Sequence, residues 1–456
     1  HAVINGGTFG AENDEDDTDF VLNEYDATRD VTTIAVYGGT FHCFNPENNA
    51  AEGAGTNFCA PGHSAVETAA GSNIWVVMPV QKQNLVKGWN WYSSYLNITT
   101  ENLLGALGTN GKSIVQNSTW SATYYGVNDG TDYGWGYESH IFDVSKMYMI
   151  ETSQACELAL SGNLVDASEI TITLNPGWNW IGYPSNVEVR LEDALDGLQP
   201  SHGDEIKTQG AFASYYDYEG QSMWLTYSFG NGNMKPTKGY MYNNTSGETK
   251  TFTYNIVPAT TRGNNETEVA THYSVDYTKY PFNMTMTAVV DGAIGDNYEV
   301  AALVNGEVRG SARPVYVEVL DAYMLFLTIS GDNVEEVSFK YYDLTTGEEY
   351  DLVNRIDYSN NAMVGSVNEP YVLSRGTTGI GDAAMSQVNI YPNPTTTGTE
   401  INLEAVCDTV EVFNALGVKV AEYQNVDSID ALETAGIYVI RITNDGNVQN
   451  CRLVVK

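Results

Sequence analysis

The chemically reactive residues of this chain are spread along its length and form no familiar catalytic pattern. The six histidines stand singly, at His1, His42, His63, His140, His202 and His272. The sequence contains no GxSxG nucleophile elbow, no HExxH zinc motif, no GxxxxGK[ST] phosphate loop and no EF-hand spacing. Carboxylates are abundant, and no pair stands out as a catalytic acid and its base. We therefore predict no catalytic residue and no enzyme activity in these 456 residues.

The densest acidic run is a candidate calcium site. It carries the carboxylates of Asp14, Asp16, Asp17 and Asp19. Calcium takes about six to eight hard oxygen ligands, which such a run supplies. A solvated acidic loop is the alternative, and the absence of the glycine and spacing of known calcium loops favours it. We expect no other metal and no cofactor.

Two groups of aromatic residues are candidates for ligand recognition. Trp89 and Trp91, and likewise Trp178 and Trp180, have the i, i+2 spacing that puts two side chains on one face of a strand. Such a pair stacks on sugar rings or forms the hydrophobic centre of a module, and its repetition favours the second interpretation. The better candidates for a recognition surface are the paired tyrosines, Tyr124, Tyr125, Tyr215 and Tyr216.

Composition and net charge limit the partners, the location and the fold class that this chain can have. The chain has 21 basic and 58 acidic residues and a net charge of −37, which excludes nucleic acid and anionic membranes as partners. No apolar run approaches the roughly 20 residues of a membrane-spanning helix, so we expect a soluble mature chain. The 43 glycines, 31 tyrosines and low charged fraction of 17% are typical of an extracellular β protein.

Two internal repeats organise the first half of the chain. Residues 4–9, INGGTF, return 32 residues later as VYGGTF, which predicts stacked rungs at the end of a β-solenoid over residues 1–82. A chance repeat of a strand and turn is the alternative, and the solenoid interpretation implies more rungs upstream of His1. The motif GWNW occurs at residues 88 and 177, and matching residues follow it in order. Residues 83–168 and 169–258 are therefore predicted to be two copies of one β-rich module.

The second half is predicted to be β throughout. Alternating apolar residues and regularly spaced turns over residues 268–374 indicate a β-sandwich. Residues 375–387 are small and polar, and predict a flexible linker. A last compact β unit follows at residues 388–456. The predicted fold class is thus mainly β and multidomain.

This last unit resembles the type A C-terminal sorting domain of cargo proteins of the type 9 (Por) secretion system of Bacteroidota. Four motifs carry the resemblance, and the residues that would form the sorting signal are Tyr391, Pro392, Asn393, Pro394, Gly417, Gly436, Tyr438 and Lys456. The resemblance implies an Ig-like β-sandwich recognised by an outer-membrane translocon and its shuttle. It also implies a sortase that removes the domain and joins the cargo to anionic lipopolysaccharide. The expected location is therefore outside the cell, at its surface.

Disulfides persist at such a location, so we predict the pairs Cys43–Cys59 and Cys407–Cys451, with Cys156 left as a thiol.

Taken together, the sequence favours an exported surface protein whose modules act in adhesion or glycan binding, with a glycan or a protein as ligand. One alternative is the C-terminal part of a β-helix polysaccharide lyase or glycosidase whose active site lies upstream. The other is a structural stalk that binds nothing.

Overall fold

The computed structural model describes the chain except for residues 11–19, 29–30, 118, 130, 219, 230–231, 257–270, 376–389, 415–417 and 445–446. The fold is mainly β. The chain divides into two compact units, His1–Gly376 and Thr377–Lys456. Within the described residues, no helix has the length and apolar character needed to cross a membrane. The predicted linker lies, from residue 376 onward, outside the described residues.

The N-terminal repeat forms stacked layers. The strands of this region are β1 (Ala2–Ile4), β2 (Thr8–Gly10), β3 (Ile34–Val36), β4 (Gly39–His42), β5 (His63–Glu67) and β6 (Ile74–Leu85). β1 pairs in parallel with β3, and β2 with β4, so that Ile4 lies opposite Val36 and Phe9 opposite Phe41. The Phe9 and Phe41 rings stack with their centroids 4.9 Å apart. The pairing register therefore equals the spacing of the sequence repeat.

Strand β6 joins this region to the first module. Its first half pairs with β4 and β5, and its second half pairs with a strand of the first module at Cys156–Ser161. The predicted boundary at residue 82 therefore falls inside a strand, because one strand of 12 residues serves two sheets.

The first GWNW module packs a five-stranded sheet on one helix. Its elements are β7 (Gly88–Tyr92), β8 (Leu96–Asn97), α1 (Thr100–Leu107), a 3₁₀ turn (Gly108–Asn110), β9 (Gly111–Gln116), β10 (Trp120–Tyr124), β11 (Val127–Asn128), β12 (Thr131–Asp132), β13 (Trp135–Tyr137), β14 (Tyr148–Thr152), β15 (Cys156–Ser161) and β16 (Asn163–Leu164). The helix begins with a capping box, in which Thr99 and Asn102 each bond the other's backbone amide. Leu103, Leu104 and Leu107 face the sheet and form the module core with it.

The second module has the same sheet topology. Its elements are β17 (Ile172–Leu174), β18 (Gly177–Ile181), β19 (Val189–Arg190), α2 (Leu191–Ala194), β20 (Glu205–Lys207), β21 (Phe212–Tyr218), β22 (Gln221–Leu225), β23 (Asn233–Met234), β24 (Tyr240–Asn244) and β25 (Lys250–Phe252). Strand order is β7-β14-β9-β10-β13 in the first sheet and β18-β24-β20-β21-β22 in the second. Trp89 and Trp178 therefore lie on corresponding strands.

The asparagine of each GWNW motif explains part of the repeated sequence. The Asn90 amide donates to the backbone oxygens of Val86 and Gly88, at 2.9 and 3.1 Å. Asn179 makes the matching bonds to Asn175 and Gly177, at 2.7 and 2.8 Å. Because these backbone groups lie where the turn leads into the strand, the asparagine side chain closes that turn.

The third region contains two facing sheets. Its strands are β26 (Phe282–Val290), β27 (Tyr298–Val304), β28 (Glu307–Ala312), β29 (Val315–Val317), β30 (Ala322–Gly331), β31 (Glu336–Asp343), β32 (Glu349–Asp357), β33 (Met363–Val364) and β34 (Tyr371–Leu373), with a 3₁₀ turn at Glu318–Leu320. One sheet has the order β29-β30-β26-β33, with β34 also on β26, and the other β28-β27-β31-β32. Buried Met286, Leu327 and Phe339 belong to the core that both sheets share.

The GWNW tryptophans lie at the junction of the two modules with this third region. Trp91 and Trp180 are buried in one cluster with Met149 and Met241, and Phe282 packs against it. The Trp91 indole nitrogen donates to the Pro281 oxygen at 3.0 Å, which fixes the ring at the junction. The tryptophans are thus part of a packed core, as the repeat predicts, and Trp91 and Trp180 present no open face to a sugar.

A buried acid and a buried base lie at the same junction. Glu205 and Lys207 on β20 are almost completely buried. The Lys207 ammonium donates to the Asn283 oxygen at 3.1 Å and lies 4.0 Å from the centre of the Trp178 ring. Thr285 donates to Glu205 at 2.8 Å. Burial raises the pKa of Glu205 and lowers the pKa of Lys207, because both groups lose water. The opposite charge of each group offsets part of this shift in the other.

The second unit is a four-stranded antiparallel sheet with strand order β36-β35-β37-β38. The strands are β35 (Glu400–Asn414), β36 (Lys419–Asp430), β37 (Gly436–Asn444) and β38 (Asn447–Val455). The sequence suggests separate strands around Leu403 and Val410. The structure instead has one long strand, whose register shifts between Asn402 and Cys407. A bulge of this kind bends a strand and lets it cover more of the core.

We predict that Glu205→Gln destabilises the first unit by about 3–5 kcal/mol, because it leaves the Lys207 charge buried without its counter-charge. Thermal unfolding of the chain, followed by tryptophan fluorescence, measures the loss. The double variant Glu205→Gln/Lys207→Met restores most of the stability, since no buried charge remains.

The matched control is Glu157→Gln, which removes the ion pair with Lys82 at 3.4 Å on the surface of the first unit. It changes the unfolding free energy by less than about 1 kcal/mol. Equal effects of Glu205→Gln and Glu157→Gln would contradict the structural role of the buried pair.

Candidate functional site

The sorting-signal residues of the second unit come together around its last strand. Tyr391 exchanges backbone hydrogen bonds with Asn402, at 2.8 and 3.1 Å. The Lys456 amide bonds the Thr395 oxygen at 2.8 Å. Gly436 lies opposite Val455 in the pairing of β37 with β38. Motifs that are 60 residues apart in sequence therefore meet beside β38, while Gly417 lies outside the described residues.

Asn393 has a specific part in this arrangement. Its side-chain amide donates to the Arg452 oxygen at 2.6 Å, and its side-chain oxygen accepts from the Val454 amide at 3.0 Å. Pro392 and Pro394 have no backbone N–H to offer to the edge of β38. The asparagine side chain therefore supplies the donor and acceptor that a neighbouring strand would supply, and it protects an otherwise open sheet edge.

Tyr438 anchors the neighbouring strand. Its ring is buried, and its hydroxyl donates to the Thr434 oxygen at 2.9 Å. The alternate residues of β37, Ile437 and Val439, are 53% and 43% exposed. One face of this sheet thus forms the core, and the other presents branched apolar side chains to solvent. An exposed apolar strand of this kind is a candidate recognition surface.

The predicted tyrosine surface of the second module is only partly exposed. Tyr216 is 5% exposed and packs with Phe212 and Leu225 against Phe326 of the third region. It therefore offers no face to a ligand, because the third region covers that side of the sheet. Tyr215 is half-buried against Trp224, with the ring centroids 5.3 Å apart.

The corresponding face of the first module is open. Ser121, Thr123 and Tyr125 alternate with buried residues along and just beyond β10, and all three are exposed. Tyr125 keeps 67% of its surface accessible. Its ring lies directly over Gly136, where an added Cβ would be 2.4 Å from the tyrosine Cε2. Tyr124 lies on the other face, 5.5 Å from the Trp135 ring.

Pairing registers show which residues correspond in the two modules. Ala122 lies opposite Ile114, and Ala213 lies opposite Ile206, at matching places in the two sheets. Ser121 therefore corresponds to Phe212. By the pairing of the edge strands, Tyr125 corresponds to Tyr216 and Gly136 to Leu225. The apolar residues that hold the third region in the second module are replaced by small ones in the first module, and the tyrosine is retained.

The sequence analysis identified Tyr125 as a candidate but did not predict that it lies on an open polar face of the sheet. The alternation of Ser121 and Thr123 with Trp120 and Ala122 is the signal that shows an outward polar face on this strand. The sorting motif identifies Asn393 but not the residues that it bonds, because these are 59 and 61 positions away in sequence.

The predicted disulfides are not formed, and the cysteines are thiols. Cys407 and Cys451 lie on β35 and β38, which β37 separates. Neighbouring strands are about 4.8 Å apart, so strands two places apart are too distant for a disulfide. Cys59 lies beside Glu47, and burial raises the pKa of its thiol to about 12. A thiol with this pKa reacts poorly.

The candidate calcium ligands Asp14, Asp16, Asp17 and Asp19 lie outside the described residues. Elsewhere in the described chain, no group of three or more histidine, cysteine, aspartate or glutamate side chains is arranged to hold a metal ion.

Comparison with known proteins gives one curated relative and several structural neighbours. Ulvan lyase NLR42 of Nonlabens ulvanivorans is 30% identical over 136 residues, which cover 28% of this chain and 25% of the lyase. The match thus spans about a quarter of the length of that relative.

Among solved structures, the amphioxus IgVJ-C2 molecule aligns with 38% of this chain and 96% of its own, at 9% identity and a TM-score of 0.12. Extracellular domains 3–5 of Drosophila OTK align with 38% and 61%, at 10% identity and a TM-score of 0.10. These TM-scores are too low for either likeness to bear on the fold of this chain.

The family described as the secretion system C-terminal sorting domain matches residues 389–456. These residues are nearly the whole second unit, and they include the motifs that meet around β38. The C-terminal unit therefore belongs to this family of sorting domains, and the chain is a type 9 secretion system cargo protein that is exported to the cell surface or beyond it.

Proposed function

We propose that this exported protein binds polysaccharide through the open face of its first module. The observation that carries the proposal is the contrast between corresponding faces of the two modules. In the second module the face is apolar and covered by protein. In the first it has hydroxyl groups, one uncovered tyrosine ring and no covering domain among the described residues.

The chemistry of this open face suits a sugar better than a protein. Phe212 and Leu225 are the kind of side chains that hold a protein partner, and Ser121 and Gly136 stand in their places. An aromatic ring beside hydroxyl groups stacks on the apolar face of a pyranose while the hydroxyls bond its edge. The partial likeness to an ulvan lyase supports a role with polysaccharides.

The sorting domain serves this role by bringing the chain to the secretion machinery. We infer that the translocon and its shuttle bind the second unit at the exposed side chains of Ile437 and Val439. A sortase and anionic lipopolysaccharide would act after export, as in the secretion route that the sorting domain resembles.

A second candidate is that the chain is a non-catalytic part of a longer polysaccharide lyase. The specific observations in its favour are the 30% identity to a segment of the ulvan lyase and the parallel layers of β1 to β4. Release of unsaturated products from ulvan by the full-length natural protein would support it. If the protein neither binds nor cleaves polysaccharide, the structural stalk is the remaining interpretation.

We predict that Tyr125→Ala lowers polysaccharide affinity at least about fivefold, because truncation of a central aromatic anchor costs more than about 1 kcal/mol. Affinity electrophoresis against a panel of soluble polysaccharides that includes ulvan measures it. Gly136→Leu gives the same loss, since the leucine displaces the tyrosine ring from its place.

Tyr25→Ala is the matched control, because Tyr25 is 75% exposed and lies in the N-terminal region. It leaves the affinity unchanged. If polysaccharide binds the chain and both Tyr125 and Gly136 variants bind as well as the parent, the open face is not the binding site.

We predict that removal of residues 436–456, which deletes β37 and β38, retains the chain in the periplasm, because β35 loses one of its two partner strands and the core is incomplete. Asn393→Ala has a weaker effect in the same direction and destabilises the unit by about 1–2 kcal/mol through the loss of two hydrogen bonds. Cell fractionation and surface labelling report both.

Thr396→Ala is the control, since Thr396 is exposed and bonds only Thr399 among the described contacts. Normal surface display of the chain without residues 436–456 would show that the second unit is not the export signal.

A further inference from the structure

A cleft opens where the first module meets the second, away from the face of Tyr125. Residues 83–86 and 90–92 form one wall. Residues from the segments 208–211 and 233–240 form the other wall, and Thr278 also lines the cleft. The cleft has a volume of about 430 Å³, within the range of small-ligand sites. The sequence repeat does not predict it, because each module supplies only one wall.

The floor of the cleft is aromatic and rigid. Trp91, Tyr92, Phe229 and Tyr240 are each at most 5% exposed, and all four line the cleft. The tyrosine hydroxyls are bonded within the protein, with Tyr92 accepting from Gln81 and Tyr240 accepting from the Lys235 amide. The floor of the cleft is therefore apolar, because both hydroxyls already have a partner within the protein.

Side-chain amides lie around this floor. The Gln209 amide donates to the backbone oxygens of Trp89 and Tyr277, at 2.8 and 3.0 Å. Asn233 is held by a bond of 2.8 Å to Glu188. Amides fixed in this way are oriented before a ligand arrives, which reduces the entropy cost of binding.

Two lysines give the cleft a positive charge that is rare in this protein. The chain has 21 basic residues against 58 acidic ones, yet Lys235 and Lys238 both line the cleft. Within the described residues, neither ammonium has a carboxylate within 4.0 Å. Partial loss of water lowers the pKa of Lys238, and the nearby charge of Lys235 lowers it further. A bound anion would relieve their repulsion.

We propose that this cleft binds a sugar unit that carries one anionic group, a carboxylate or a sulfate. The sugar ring lies over the apolar floor, the amides bond its hydroxyls, and Lys235 and Lys238 bind the anion. The net charge of −37 disfavours a long polyanion along the surface. One anionic group inside the cleft lies close to the lysines, and salt screens more distant carboxylates beyond about 8 Å. The cleft therefore selects short acidic saccharides.

The test is a calorimetric titration of the 456-residue chain with three probes of similar size: a trimer of galacturonate, a sulfated galactose trimer and neutral maltotriose. We expect saturable binding of at least one acidic probe, at least about tenfold tighter than maltotriose. The acidic probe that binds identifies the anionic group. The double variant Lys235→Gln/Lys238→Gln lowers that affinity at least about tenfold, because it removes two charge-assisted bonds.

Lys146→Gln is the matched control, because Lys146 occupies in the first module the sequence position that Lys238 occupies in the second, and it does not line the cleft. It leaves the affinity unchanged, and so does Tyr125→Ala, which separates this site from the proposed polysaccharide face. The proposal is overturned if neither acidic probe binds, if maltotriose binds equally well, or if the lysine double variant binds like the parent chain.

Discussion

The junction of the two modules with the third region is the constraint on which the first unit depends. Trp91 and Trp180 are buried there, and each belongs to a sheet whose opposite face already packs on its own helical segment. Both faces of these sheets are therefore used near the tryptophans. Glu205 and Lys207 add a buried pair of opposite charges, which tolerates no loss of one member. The arrangement fixes which sheet surfaces remain for ligands.

The two modules share one fold, but the same sheet face packs against another domain in the second module and is exposed to solvent in the first. Their sheets have the same strand order, and the turn-closing asparagine makes the same bonds in both. They differ at a few outward positions, where Phe212 and Leu225 in one correspond to Ser121 and Gly136 in the other. Large apolar side chains gain free energy only where another domain excludes water from them. The small residues of the first module leave the corresponding sheet face exposed to solvent. The retained tyrosine gives that face one aromatic ring for recognition.

In the sorting domain, the main constraint is the edge strand of the sheet. Strand β38 would present an open edge, and such edges pair with other chains. The segment around Asn393 covers it with side-chain bonds that the flanking prolines cannot provide. The motif at the start of this unit and the strand at its end are thus parts of one structure, which explains why deletion of the last strands is expected to abolish export.

The β class, the stacked register of Phe9 on Phe41, the repeat of the GWNW motif and the export route could all be predicted from the sequence. Each depends on local periodicity or on a motif that is read directly in the chain. The sequence also predicted Tyr216 as a ligand residue and two disulfides, and the structure shows a covered tyrosine and cysteines that are not joined. These points depend on how the domains pack, and so does the cleft with Lys235 and Lys238. The reason is physical: burial and proximity between distant residues depend on which sheet faces pack together, and alternation along one strand does not specify the partner of each face.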